Sequence, residues 1–136
     1  MKKTIALFAL IALLGLSCSD YGTPLVPLST LQLNASVDGK MFSVNAGQSF
    51  TLTLDSWGDA GFLWECQIED TLIVCQAGKP EYRSKYPGTV GGVWIATFTF
   101  SADKPGKSVV TLAERRPWMK DEPPRATVTF TVYVLQ

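Results

Sequence analysis

The sequence predicts one all-β domain in which two sheets pack face to face. Three observations carry that reading. From Leu31 onward, apolar residues recur at every second position, the period of a half-buried strand, with no helical period of useful length. The periodic runs are short and rich in Val, Ile, Thr and Phe, and Gly, Pro, Asn and Asp lie between them. Finally, about seven or eight such runs fit into roughly 105 residues, the density of an immunoglobulin-like β-sandwich, with a small barrel as the alternative.

The candidate strands are Leu31–Val37, Met41–Val44, Ser49–Asp55, Phe62–Glu69, Thr71–Ala77, Val93–Ser101, Ser108–Glu114 and Arg125–Leu135. Phe50, Leu52 and Leu54 alternate with Ser49, Thr51, Thr53 and Asp55, so one face of that run is buried and the other wet. Val128, Phe130, Val132 and Val134 alternate in the same way with Thr127, Thr129, Thr131 and Tyr133. The runs 62–69 and 71–77 are expected to form a hairpin turning at Asp70-Thr71. That register opposes Cys66 to Cys75, Ile68 to Ile73 and Trp64 to Ala77, and it gathers Glu65, Glu69, Leu72 and Gln76 on the other face. Cys66 and Cys75 would then form a non-hydrogen-bonded pair with Cα atoms about 4.5 Å apart, the short end of disulfide geometry. A bridge there is the expectation, contributing roughly 2–3 kcal/mol through chain entropy. Two buried free thiols are the alternative, and Asp-Thr lacks the glycine of the strongest hairpin turns.

Residues 1–17 read as a signal peptide. Lys2 and Lys3 give a positive start, and Ile5 to Leu16 form an apolar stretch too short to span a bilayer, which needs roughly 20 residues. Leu14-Gly15-Leu16-Ser17-Cys18 resembles a lipobox, with Gly15 where leucine is usual. Gly15 and Ser17 also make a small-x-small secretory cleavage site, and both readings cut before Cys18. Lipidation of Cys18 is the favoured reading. Residues 18–30, with Pro24 and Pro27, read as a tether, and 31–136 as the domain. The expected location is the cell envelope, on a membrane outside the cytoplasm, at the periplasmic face or the cell surface. Cys66 and Cys75 are then an even pair in an oxidising compartment.

Composition narrows the function. The chain holds 12 basic and 12 acidic residues, and loss of Lys2 and Lys3 leaves a small acidic excess, so nucleic acid is not an expected partner. It has no histidine, which removes the commonest general base and metal ligand. No metal cluster, phosphate loop or nucleophile–base pair is evident, which argues against an enzyme and against a cofactor.

Three connections are richer than a turn requires. They are Ser56-Trp57-Gly58-Asp59-Ala60-Gly61, the stretch Gly78 to Gly92, and Arg115-Arg116-Pro117-Trp118 through Pro123-Pro124. Two strands separate each from the next, so all three should emerge at one end of the sandwich, as binding loops do. Pro117 pre-orders its loop, and Trp118 and Arg116 are side-chain types enriched at binding hot spots. The bland alternative folds Trp118 back under an arginine. Trp64 belongs to the apolar hairpin face and reads as core. Gly91 and Gly92 serve either a bend or close backbone approach to a partner.

Taken in order, Gly47-Gln48-x-Phe50-x-Leu52-x-Leu54, Gly61-Phe62-x-Trp64, Val90-Gly91-Gly92, Arg116-Pro117-Trp118 and Phe130-Thr131-Val132-Tyr133-Val134 resemble the chagasin family of cysteine-protease inhibitors, over about residues 31–135. The resemblance implies an immunoglobulin-like fold and a papain-like cysteine protease as partner, bound through loops that carry Asn-Pro-Thr-Thr-Gly, Gly-x-Gly-Gly and Arg-Pro-Trp in the family. The third motif is complete. Thr89-Val90-Gly91-Gly92 lacks the first glycine of the second, and Trp57-Gly58-Asp59-Ala60-Gly61 keeps only the last glycine of the first. The implied contact residues are Trp57, Gly58, Asp59, Ala60, Gly61, Val90, Gly91, Gly92, Arg116, Pro117 and Trp118, in a protein expected to act as a monomer. The other reading is a cell-surface lipoprotein module that binds glycan or an assembly partner, with Tyr82 and Tyr86 as its aromatic platform.

Overall fold

The computed structural model describes residues 30–136. Cys18, the signal peptide and the tether to residue 29 lie outside them. The strands are β1 (Leu31–Asn34), β2 (Met41–Asn45), β3 (Ser49–Ser56), β4 (Leu63–Ile68), β5 (Val74–Gln76), β6 (Glu81–Ser84), β7 (Trp94–Ala102), β8 (Gly106–Arg115) and β9 (Ala126–Leu135). They form two sheets, one of five strands and one of four, as expected of an immunoglobulin-like sandwich. The first runs β1-β3-β7, with β5 and β6 both pairing along the far side of β7, and the second runs β2-β9-β8-β4.

Alternation builds the core. Phe50, Leu52 and Leu54 of β3 are buried, as are Val128, Phe130, Val132 and Val134 of β9. Phe98 and Phe100 of β7 join them from the first sheet, and Val110 and Leu112 of β8 from the second. The Phe50 and Phe100 rings stack at 5.1 Å, and Phe42 meets Phe50 edge-on at 5.3 Å, geometries that aromatic quadrupoles favour.

The N-terminal run is shorter than the sequence suggests. Asn34 accepts a hydrogen bond from the Ser36 amide at 2.9 Å and starts a 3₁₀ turn over Ala35–Val37. The turn carries the chain from one sheet to the other. β1 therefore pairs in parallel with β3, and β2 in parallel with β9.

The expected hairpin of residues 62–69 and 71–77 does not form. β4 pairs with β8, placing Cys66 opposite Leu112, while β5 pairs with β7, placing Cys75 opposite Ser101. Asp70 sends the chain across the sandwich. Its Oδ1 accepts from the Leu72 amide at 2.9 Å, its carbonyl accepts from Ile73 and Val74, and its amide donates to Ser108 Oγ at 3.0 Å. Apolar residues segregated on one face suit two strands facing each other across a core as well as two strands side by side. Cys66 packs against the core from the second sheet, whereas Cys75 alternates with the inward Val74 and faces away from it. The expected disulfide is accordingly absent and both thiols are free.

The stretch from Gly78 to Gly92 also contains a strand, β6. β5 and β6 run in the same direction along β7 and act as one strand interrupted at 77–80. The connection to β7 is thus only residues 85–93.

Burial pushes the Cys66 thiol up from 9.0 to about 11. Burial also raises the Tyr82 hydroxyl above its ordinary value, partly offset by its hydrogen bond to the Trp64 amide. Between pH 9 and about 11 the folded protein keeps the Cys66 proton that the unfolded chain has lost. Stability should therefore fall as pH rises through that window, and Cys66→Ala should flatten the slope in denaturant titrations. A thiol count on the denatured, unreduced protein should find Cys66 and Cys75 both reactive; a protected pair would restore the bridge.

Candidate functional site

The three connections meet at one end of the sandwich. Loop 1 is residues 57–62 between β3 and β4, loop 2 is residues 85–93 between β6 and β7, and loop 3 is residues 116–125 between β8 and β9. Counting two strands between successive loops gives this result correctly, because β5 and β6 together count as one.

Loop 1 is a compact 3₁₀ turn over Gly58–Ala60, closed by Gly61 in the left-handed region at φ 81°. Its stems are gripped from the end of β8 and from loop 3. The Glu114 carboxylate, fully buried at the end of β8, accepts the Trp57 amide through Oε1 at 2.9 Å and Arg125 Nε through Oε2 at 2.9 Å. The Arg125 guanidinium lies over the Trp57 ring at 5.1 Å and the Phe62 ring at 5.6 Å, and that of Arg116 lies over Phe62 at 4.5 Å. Two aromatic rings from the stems of loop 1 thus stack with two guanidiniums from the stems of loop 3.

The tips are tied as well. Arg116 Nε donates to the Ala60 carbonyl at 3.0 Å, and its Nη1 lies 3.7 Å from Glu122. The Trp118 ring rests on Gly61, where an added Cβ would overlap it. On the other side, Trp94 Nε1 donates to Asp59 Oδ1 at 3.0 Å. A Cβ on Gly91 of loop 2 would lie 3.8 Å from Asp59 Oδ2. Lys85 at the base of loop 2 pairs with Asp55 of β3 at 2.7 Å, an exposed contact.

Of the residues expected from sequence, Trp57, Val90 and Trp118 present apolar surface: Trp118 is 67 % exposed, Trp57 44 %, and Val90 fully so. Gly58, Ala60 and Gly61 act through backbone and close packing. Arg116 turns inward onto loop 1 and Phe62; it does not stack on Trp118. Arg115 alternates onto the outer face of β8, 3.4 Å from Glu65. Trp64 is core, as expected, and its Nε1 donates to the Asp55 carbonyl. Tyr82 is half-buried with its hydroxyl accepting the Trp64 amide, and Tyr86 is exposed.

Sequence reasoning missed Glu114, Arg125, Phe62 and Trp94. One signal was legible: Ser108, Val110, Leu112 and Glu114 share one face of a strand, which places a carboxylate in the core. The contacts of Arg125 and Trp94 are long-range and leave no local trace.

Fold and loops together describe a sandwich with three loops at one end, two of them braced directly against each other. A family model described as "Chagasin family peptidase inhibitor I42" matches residues 43–134. This chain belongs to the chagasin family of peptidase inhibitors. Among solved structures, it is similar to the cysteine protease inhibitor EhICP2 from Entamoeba histolytica, with a TM-score of 0.69 and 19 % identity over 78 % of this chain and 96 % of that one. It is likewise similar to amebosin, with a TM-score of 0.62 and 20 % identity over 78 % of this chain and 98 % of that one. A sequence search of curated proteins finds no match.

Arg125→Met should destabilise the fold by about 2–3 kcal/mol in urea titrations, because it strands the buried Glu114 carboxylate. Adding Glu114→Gln should recover part of that loss, since no buried charge is then left unpaired. A double variant as unstable as the sum of the two single changes would show that the stranded charge is not the cause.

Proposed function

We propose that this protein inhibits papain-like cysteine proteases by covering the active-site cleft with its three loops. The observation that carries the reading is the placement of Trp57, Val90 and Trp118, exposed apolar side chains on three different loops at one end of the sandwich. Exposed aromatic residues on a rigid scaffold suit a binding surface far better than they suit free solvent. Membership of a peptidase-inhibitor family gives the partner its class, and EhICP2, of similar fold, is a cysteine protease inhibitor.

In this mechanism loop 1, from Trp57 to Gly61, enters the cleft and covers the nucleophile. Trp118, flanked by Arg116 and Pro117, packs along one wall, and Val90-Gly91-Gly92 approach the other through backbone. Inhibition is competitive and no bond of the inhibitor is cleaved. The contact needs about 800 Å² from each partner, within reach of three loops. Loops 1 and 3 are already tied together in the free protein, which lowers the conformational entropy they lose on binding. One monomer suffices, since all three loops come from a single chain.

The purified protein assayed against a panel of papain-like proteases should inhibit at least one competitively. Trp118→Ala should weaken that inhibition by roughly 2 kcal/mol or more, about 30-fold. No inhibition across the panel, or an unchanged inhibition constant for Trp118→Ala, would overturn the reading.

We also propose that the protein is lipid-anchored through Cys18 on a membrane outside the cytoplasm. The support is the lipobox-like Leu14–Cys18 after a short apolar stretch. Buried acyl chains contribute about 0.8 kcal/mol per CH₂, so two or three of them hold a domain on a bilayer. Mass spectrometry of the mature N-terminus should find Cys18 first and diacylated; an unmodified thiol would leave ordinary secretion.

A further inference from the structure

Loop 1 has little of its own to hold its shape. Glycine occupies position 58, where the family motif has a proline, and glycine again occupies position 61. Its internal backbone bonds are Ala60 to Trp57 at 3.0 Å, Gly61 to Gly58 at 2.9 Å and a long Phe62 to Trp57 contact at 3.4 Å. A turn so made frays readily unless its neighbours restrain it. Loop 3 restrains one flank through Arg116 and Trp118. On the other flank the side-chain tie is Asp59, whose Oδ1 accepts from Trp94 Nε1. Gly58 lies on the same indole, since a Cβ there would sit 3.5 Å from Trp94 Cδ1. The two contacts lie at the rim of an open apolar cleft of about 300 Å³ lined by Gly58, Asp59, Leu63, Tyr82 and Trp94.

We propose that Asp59 is a positioning residue: by accepting the Trp94 indole it fixes loop 1 against the start of β7, supplying from outside the loop the rigidity that a proline at position 58 would supply from within. Asp59 then acts through its hydrogen bond and not through its charge. This deepens the inhibitor reading and rests on it for its consequence in binding; the bond itself is a property of the free protein. A loop that visits its binding shape only part of the time associates more slowly in proportion to that fraction, whereas a lost contact mainly speeds dissociation.

The test compares Asp59→Ala, Asp59→Asn and Trp94→Phe with the unaltered protein. In the free protein, Asp59→Ala and Trp94→Phe should each speed amide exchange at Gly61 and Phe62 about tenfold while core amides such as Phe130 stay unchanged. With papain as the probe, the same two variants should associate about tenfold more slowly with little change in dissociation. Asp59→Asn keeps an acceptor oxygen and should recover most of both losses. Unchanged loop exchange in Asp59→Ala and Trp94→Phe would overturn the proposal. So would an Asp59→Asn variant as slow to associate as Asp59→Ala, which would make Asp59 a charge contact with the partner. If the unaltered protein leaves papain uninhibited, the inhibitor reading fails for that enzyme, and the exchange measurements still decide whether Asp59 holds the loop.

Discussion

At the end of the buried face of β8, beyond Val110 and Leu112, Glu114 holds a carboxylate with no exposed surface. A charge removed from water is costly unless its oxygens are filled. Here one oxygen takes the Trp57 amide and the other takes Arg125. That requirement brings the first residue of loop 1 to the last residue of loop 3. Arg125, once there, lies over Trp57 and Phe62, and Arg116 comes over Phe62 from the other stem. The end of the sandwich follows from satisfying one buried side chain.

β8 carries the same device at its other end. Ser108, also fully buried, bonds both the amide and the carbonyl of Asp70. The chain is thereby pinned where it crosses from β4 to β5. Between these two polar residues Val110 and Leu112 supply the apolar core. A single strand thus sets core packing in its middle and loop geometry at both ends.

How much of this could be read from sequence depends on range. Period-two patterning located β3 and β9 almost to the residue, because each strand buries one face and the pattern is local. The clustering of the loops was legible through strand parity, and the Arg116-Pro117-Trp118 motif lies in one of them. The Cys66–Cys75 pairing was not legible. An apolar face looks the same whether its partner lies beside it in a sheet or opposite it across the core, and Ser108, thirty-eight residues from Asp70, decides between them. β6 was hidden in an apparent loop because Gly78 and Pro80 punctuate what is one strand in space. Arg116 faces inward, where its guanidinium braces loop 1.

The parallel pairing of β1 with β3 fixes the pole at which the chain enters the domain. Leu31 lies beside Phe50, near the start of β3, and β3 runs from there to loop 1. The chain therefore enters at the pole opposite the three loops. With a lipid on Cys18 as proposed, the thirteen residues before Leu31 reach at most about 45 Å and join the domain at the pole opposite the loops. The loops then look outward, like a hand raised from a wrist fixed at the membrane. A protease in solution could be engaged from above, whereas one lying flat on the same membrane would have to reach over the full height of the sandwich.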